Sequence, residues 1–276
     1  MTYEASGVDD KQRSPKAGEL PAYYRGARAE HDQLGSHAES AARQILATTR
    51  VYLSRPTEEL CVLDIGSGYG HTAAALAKRC RRVVGIEPSR TLCEFAVANY
   101  ASDAASNLEF RCQSATDVDG AETFDLALLD NVLEHVPNQA EMLDRIATAL
   151  KPGGVLYLLV PNKLWPIEVH YRLPFLSYLP LPLANLYLRT TGRGQDYADA
   201  SYAPTYFGLQ RLLRDCGQFT FEFVLPADVR LAAGGGSWLY RAGVAAIGRC
   251  RWLWIISKAL LVVAVKQSPE VTAEPA

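Results

Sequence analysis

Between Leu60 and Val160 short apolar runs alternate with segments of helical spacing. "LCVLDI" is bounded and continuous, the mark of a strand buried on both faces. "GHTAAALAKRC" follows as an alanine-rich helix. "RVVGIE" predicts a second strand, "SRTLCEFAVANY" a helix that Ser89 can cap, and "LEFRC" a third strand. "FDLALLD" predicts a fourth strand, "NQAEMLDRIATALK" a helix and "GVLYLLV" a fifth strand, with "LKPGG" as the stop between the last two. Strands alternating with helices imply parallel crossovers. The expected fold is α/β: a Rossmann-like, doubly wound, mostly parallel sheet with helices on both faces.

Flanking patterns extend this unit. "AESAARQILATTRVYL" and, more weakly, "AYYRGARAEHDQL" read as helices ahead of the first strand. "TYFGLQRLLRDCG" is a helix stopped by Gly217, "FTFEFVL" alternates as a strand, "AAGGGSW" is a flexible turn, and "ALLVVAVK" closes the chain as an apolar strand. About forty residues separate the fifth strand from the Gly217 helix, a length at which loops tend to be functional. In this stretch Leu173 to Leu188 carries no charged side chain. We expect a lead-in over 1–18 and a single domain over 19–266, with an insertion at 161–204 and a tail over 267–276.

Composition narrows the partners. A formal charge of -2 on 276 residues gives no field for nucleic acid. The apolar run "VAAIGRCRWLWIISKALLVVAV" is broken by Arg249, Arg251 and Lys258, so it suits a membrane surface better than a span. The six cysteines form no C-x-x-C pair, which suggests neither zinc nor a disulfide framework and favours a reducing, cytoplasmic setting.

The candidate chemistry begins in "VLDIGSGYG". An apolar strand ends in Asp64, and Gly66, Gly68 and Gly70 lead into a helix. Glycines let backbone turn tightly and approach a ligand. The spacing is G-x-G-x-G, not the dinucleotide G-x-G-x-x-G, and the preceding carboxylate suits an amino group better than a pyrophosphate. In "GIEPS", Glu87 ends the next strand, where a carboxylate can accept from a ribose diol.

With "FDLALLDNVLEHV" and "LKPGGVLYLLVPN", these motifs resemble, in order, a class I S-adenosylmethionine-dependent methyltransferase over roughly Leu60 to Asn162. The resemblance implies S-adenosyl-L-methionine as cofactor. It assigns the methionine part to Asp64 and the loop of Gly66, Ser67, Gly68 and Gly70. Glu87 takes the ribose, flanked by Pro88. The adenine end falls at Ser114 and Ala115, where the family often has an acid, and Asp117 is the alternative. Asp130 and Asn131 lie near the cofactor, and His135 follows as a base for an oxygen nucleophile. Tyr23, Tyr24, Arg25 and Arg28 match segments that cap the cofactor.

Glu168 and His170 share a face if the chain is extended there, which makes them an acid–base or binding pair beside the acceptor. As metal ligands they lack clustered partners, so no metal is expected. Together these readings describe an O-methyltransferase for a small-molecule, sugar or lipid-linked acceptor, with possible peripheral contact at the inner membrane surface. The rival reading is a non-catalytic cofactor-binding or membrane-peripheral protein on the same fold.

Overall fold

The computed structural model describes residues 31–100, 107–118, 120–232 and 236–268. The lead-in, the Tyr23–Arg28 segment, the centre of "AAGGGSW" and most of the tail lie outside them. The elements run α1 (His31–Thr49), β1 (Cys61–Ile65), α2 (His71–Ala77), β2 (Arg82–Ile86), α3 (Arg90–Tyr100), β3 (Leu108–Arg111), β4 (Phe124–Asp130), α4 (Gln139–Ala149) and β5 (Leu150–Pro161). They continue with α5 (Leu181–Thr191), α6 (Tyr206–Cys216), β6 (Phe219–Phe223), α7 (Trp238–Arg249) and β7 (Ala259–Lys266).

Seven strands form one sheet in the order β3-β2-β1-β4-β5-β7-β6. The first five pair in parallel, while β7 runs antiparallel to β5 and β6. The doubly wound expectation is met. The order reverses at β1, so the carboxyl ends of β1 and β4 open the crevice where ligands bind in such sheets. Leu63, Leu129, Leu156 and Val262 build one apolar layer with α4 and α6, and Val62, Leu128, Tyr157 and Val263 the other with α1 and α2. Alternate residues of one strand enter opposite layers, as the strand period requires.

Three features differ from expectation. β5 starts at Leu150 and takes in "LKPGG", with a register shift between Phe124 and Leu126. Second, the charge-free run holds a helix. Pro180 and Pro182 stand at the start of α5, where an amide proton is not needed, and Gly192 ends it in the left-handed region. α7 was likewise hidden in an apolar stretch. Third, Cys93 and Cys112 are joined in a disulfide. They are 19 residues apart, and only the return of the chain from α3 to β3 brings them together. The cysteine argument for a reducing compartment therefore falls away.

The insertion has a small core of its own: Leu173, Leu176, Ala184, Leu188, Tyr197 and Ala200. Asn162, buried, anchors its start by donating to Trp254 and Ile255 carbonyls and accepting from Leu164 N–H.

Candidate active site at the carboxyl edge of the sheet

The loop after β1 is held to β2. Gly66 and Ser67 N–H both donate to the Ile86 carbonyl, and Gly70 N–H closes the turn on Ser67. Gly66 has φ +69°, and a Cβ there would stand 2.5 Å from Val132 Cγ2. At Gly70 (φ +80°) a Cβ would meet Phe110 at 2.6 Å. Both positions therefore need glycine for two reasons, conformation and space.

Glu87 is almost fully buried, and its carboxylate is fixed from both sides. Oε2 accepts from Gly68 N–H at 2.9 Å and Oε1 from Ser89 N–H at 2.8 Å. Burial raises its pKa, and the two amides work against that rise. One lone pair on each oxygen is left for a further donor.

Asp64 lies deeper. Its Oδ2 and the Ser67 hydroxyl are buried with no hydrogen-bond partner among the described residues. Burial, then Asp130 and Glu87, push the Asp64 carboxyl up to about 7. Asp130 is pushed up to about 6 by burial, although Asn131 Nδ2 donates to it at 2.7 Å. Three carboxylates around one glycine loop make a place for a cation. Asn131 sits at φ +55°, which turns the chain out of β4, and asparagine tolerates that region better than most residues.

A cavity of about 440 Å³ lies beside the loop and Glu87. Gly66, Glu87, Pro88, Ser114, Ala115, Asn131 and His135 all line it, along with Thr116, Val132 and Asp199, which the sequence did not single out. Asp64, Ser67, Gly68, Gly70, Asp117, Asp130, Glu168 and His170 are not among its lining residues. Ser114 Oγ accepts from Thr116 N–H and Oγ1 in capping a 3-10 turn, so its own proton is what it can offer a ligand.

The insertion meets this edge through His135. His135 Nδ1 bonds the Asp199 carbonyl, and its ring stands 5.1 Å from that of His170. Glu168 and His170 do come together, but in a turn between bridged Ile167 and Pro174, not in an extended run. Glu168 is buried. Its Oε1 pairs with His170 Nδ1 at 2.8 Å and its Oε2 accepts Tyr171 N–H at 2.6 Å. Burial lowers His135. Burial also works against the charged form of His170, yet Glu168 and Glu134 outweigh it and hold His170 above its ordinary value. Glu134, absent from the sequence reading, lies behind both rings. Its Oε1 is 3.9 Å from His135 Nε2 and 3.8 Å from His170 Nε2.

Residues 63–158 match the family model described as a methyltransferase domain. Over these residues the chain is similar to class I S-adenosylmethionine-dependent methyltransferases. The match runs from within β1 through most of β5 and takes in the glycine loop, Glu87 and His135. The chain is 36% identical over 107 residues to a ubiquinone biosynthesis O-methyltransferase of Nitrobacter winogradskyi, across 38% of this chain and 40% of the relative. One from Coxiella burnetii is 35% identical over 103 residues, 37% of this chain and 44% of the relative. The alignment thus spans about two fifths of these relatives' length. The plantazolicin methyltransferase BpumL, solved with a substrate analogue and SAH, superposes with a TM-score of 0.56 at 15% identity, covering 88% of this chain and 89% of that one. A methyltransferase bound to the Haloferax volcanii activator Trm112 gives 0.55 at 17% identity, covering 92% and 100%. At those identities the structures speak for the shared fold.

Proposed function

We propose that the chain transfers a methyl group from S-adenosylmethionine to a hydroxyl of a small acceptor with an apolar part. The observation that carries this is a pre-fixed Glu87 on the cavity that reaches His135, with the orphaned Asp64 oxygen buried behind the glycine-shaped loop. Asp64 accepts from the ammonium of the methionine part, and the Gly66–Gly70 loop leaves room for it. Glu87 accepts from the ribose diol with its two remaining lone pairs. Pro88, Ala115 and Val132 are apolar walls for the adenine, and Ser114 donates to a ring nitrogen. Asp130 and Asn131 border the methionine end.

Bound S-adenosylmethionine supplies a methyl group already activated by its sulfonium. The chain's task is alignment, together with removal of the acceptor proton. As the methyl group passes to the acceptor oxygen, the acceptor's hydroxyl proton would leave at the histidine cluster. There Glu168 orients His170 through Nδ1, and Asp199 orients His135 in the same way.

A hydroxyl acceptor is favoured by relatives named O-methyltransferases of ubiquinone biosynthesis. The sugar and glycolipid acceptors expected from Glu168 and His170 find no counterpart in the relatives named above. An apolar acceptor agrees with Ile167, Phe175, Leu183 and Leu186, exposed on the outer face of the insertion. Exposed Trp238, Leu239 and Trp252, with Arg241, Arg249 and Arg251 in the same segment, suit a peripheral membrane contact. No helix among the described residues is long and apolar enough to cross a membrane.

Calorimetric titration with S-adenosylhomocysteine, followed by methyl uptake from labelled cofactor into quinol-like and sugar acceptors, tests the proposal. We expect micromolar binding and uptake into the hydroxylated apolar acceptors. No binding of S-adenosylhomocysteine would sink it. Binding with no uptake from any extract would favour the non-catalytic reading.

A further inference from the structure

Glu134 is the least explained group in the molecule. Its side chain is 0% exposed, and neither carboxylate oxygen has a hydrogen-bond partner among the described residues. Burying a carboxylate without hydrogen bonds costs several kcal/mol.

The two neighbouring imidazoles show what the carboxylate is for. His170 Nδ1 is engaged by Glu168 and His135 Nδ1 by the Asp199 carbonyl. An acceptor on Nδ1 fixes the tautomer with its proton there, which leaves the lone pair on Nε2. Both Nε2 atoms then aim at Glu134, at 3.8 and 3.9 Å. All three donor atoms lie within 4.8 Å of one another. Imidazoles held by a carboxylate and a carbonyl through the far nitrogen, converging with a bare carboxylate, are the arrangement found around bound metal ions.

We propose that Glu134, His135 and His170 bind one divalent first-row transition-metal cation, of the zinc, cobalt or manganese class. Two nitrogens and one carboxylate select such ions over magnesium and calcium, which take oxygen ligands. Donors at about 2.0–2.1 Å from zinc in a tetrahedron stand roughly 3.3 Å apart. The carboxylate oxygen therefore needs to close on each nitrogen by roughly half an ångström, and the two nitrogens on each other by at most about 1.5 Å. The backbone already ties the site together: Tyr202 N–H donates to the Glu134 carbonyl, and Gln139 Nε2 bridges the Leu133 and Tyr202 carbonyls.

Three protein ligands leave coordination positions open. Because His135 lines the cofactor cavity, an open position can receive an acceptor oxygen. That last role rests on the methyl-transfer reading, whereas metal binding does not.

The test uses the full chain, without a polyhistidine tag, stripped by chelator. Cobalt(II) is titrated by visible absorption and zinc(II) by calorimetry. One ion per chain is expected, with a cobalt spectrum of nitrogen and oxygen ligation. His170→Ala and Glu134→Gln are expected to weaken binding at least 100-fold, and Glu168→Ala about tenfold through the freed imidazole. S-adenosylhomocysteine affinity should stay within twofold in His170→Ala, which also certifies folding. If Glu134→Gln does not fold, the cobalt spectra of His170→Ala and His135→Ala decide. No binding at about 100 µM metal overturns the proposal, as does binding that all these variants leave unchanged. Metal binding without S-adenosylhomocysteine binding would instead refute the methyl-transfer reading and leave the metal site standing.

Discussion

The edge built by β1, β2 and β4 and the edge built by the insertion hold their polar groups in different ways. On the first, backbone does the holding. Glu87 is fixed by the amides of Gly68 and Ser89, and the glycine loop hangs from the Ile86 carbonyl, so sheet register sets the geometry. On the second, side chains do it. Glu168 grips His170 and Tyr171 N–H, Arg193 reaches the Tyr171 and Arg172 carbonyls, and Asn185 bonds Asp196 and Tyr197. A backbone-built site changes only if the sheet changes. A site built from side chains can be altered one residue at a time, so the two edges should fail separately.

Gly66→Val tests the first edge most severely. The left-handed φ and the 2.5 Å approach to Val132 act together, and S-adenosylhomocysteine affinity should fall at least 100-fold. Adding Val132→Ala relieves the collision but not the φ, so recovery should be partial. Full recovery would mean that space alone made the glycine necessary.

Glu168→Ala is the matching cut on the second edge. It frees His170 Nδ1 and leaves Tyr171 N–H without its acceptor, at a cost of about 1–3 kcal/mol. Turnover should drop roughly 10- to 100-fold while S-adenosylhomocysteine affinity stays within twofold. A parallel loss of both, read by calorimetry beside steady-state kinetics, would show that the edges are not independent.

This contrast also explains what could be read from the chain. Strand period, glycine spacing and the acids at Asp64 and Glu87 are local signals, and they point to the sheet, the loop and part of the cavity wall. Glu134 gave no such signal. It sits beside His135 in "NVLEHV", but its meaning depends on His170, which only the turn at Ile167–Pro174 brings within reach. Glu168 and His170 carry no metal signal in the sequence, because Glu134 and His135 lie far from them along the chain. α5 was missed for a related reason: prolines read as breakers stand at its first turn, where a helix accepts them. The Cys93–Cys112 pair is likewise a product of packing between α3 and β3.

Asp64 offers a finer test of the first edge, through pH. Its carboxyl is pushed up to about 7, mainly by burial. The folded chain therefore keeps a proton that the unfolded chain releases near pH 4. Stability from this group is present in acid and is lost as pH rises from about 4 to about 7. Asp64→Asn should raise the stability of the ligand-free protein at pH 8 by up to about 4 kcal/mol, add nothing near pH 4, and weaken cofactor binding at pH 8. Denaturant melts at the two pH values check the first part. A variant no more stable than wild type at pH 8 would mean that another group already compensates the buried charge.

The smallest effect is expected on the outer face of the insertion, and its smallness is informative. Leu183 and Leu186 are 52% and 55% exposed, while Ala184 and Leu188 on the same helix are buried in the insertion's core. Leucines that have little surface left to lose contribute little to folding, so Leu183→Ser with Leu186→Ser should shift stability by no more than about 0.5 kcal/mol. Turnover on a water-soluble acceptor should hardly change. Turnover on an acceptor embedded in anionic vesicles should fall severalfold if this face brings the enzyme to lipid. A melting temperature lowered by many degrees would show instead that these leucines are covered within the protein. The outer face would then belong to the fold, and the edge built by the insertion would be as firmly built as the edge of β1, β2 and β4.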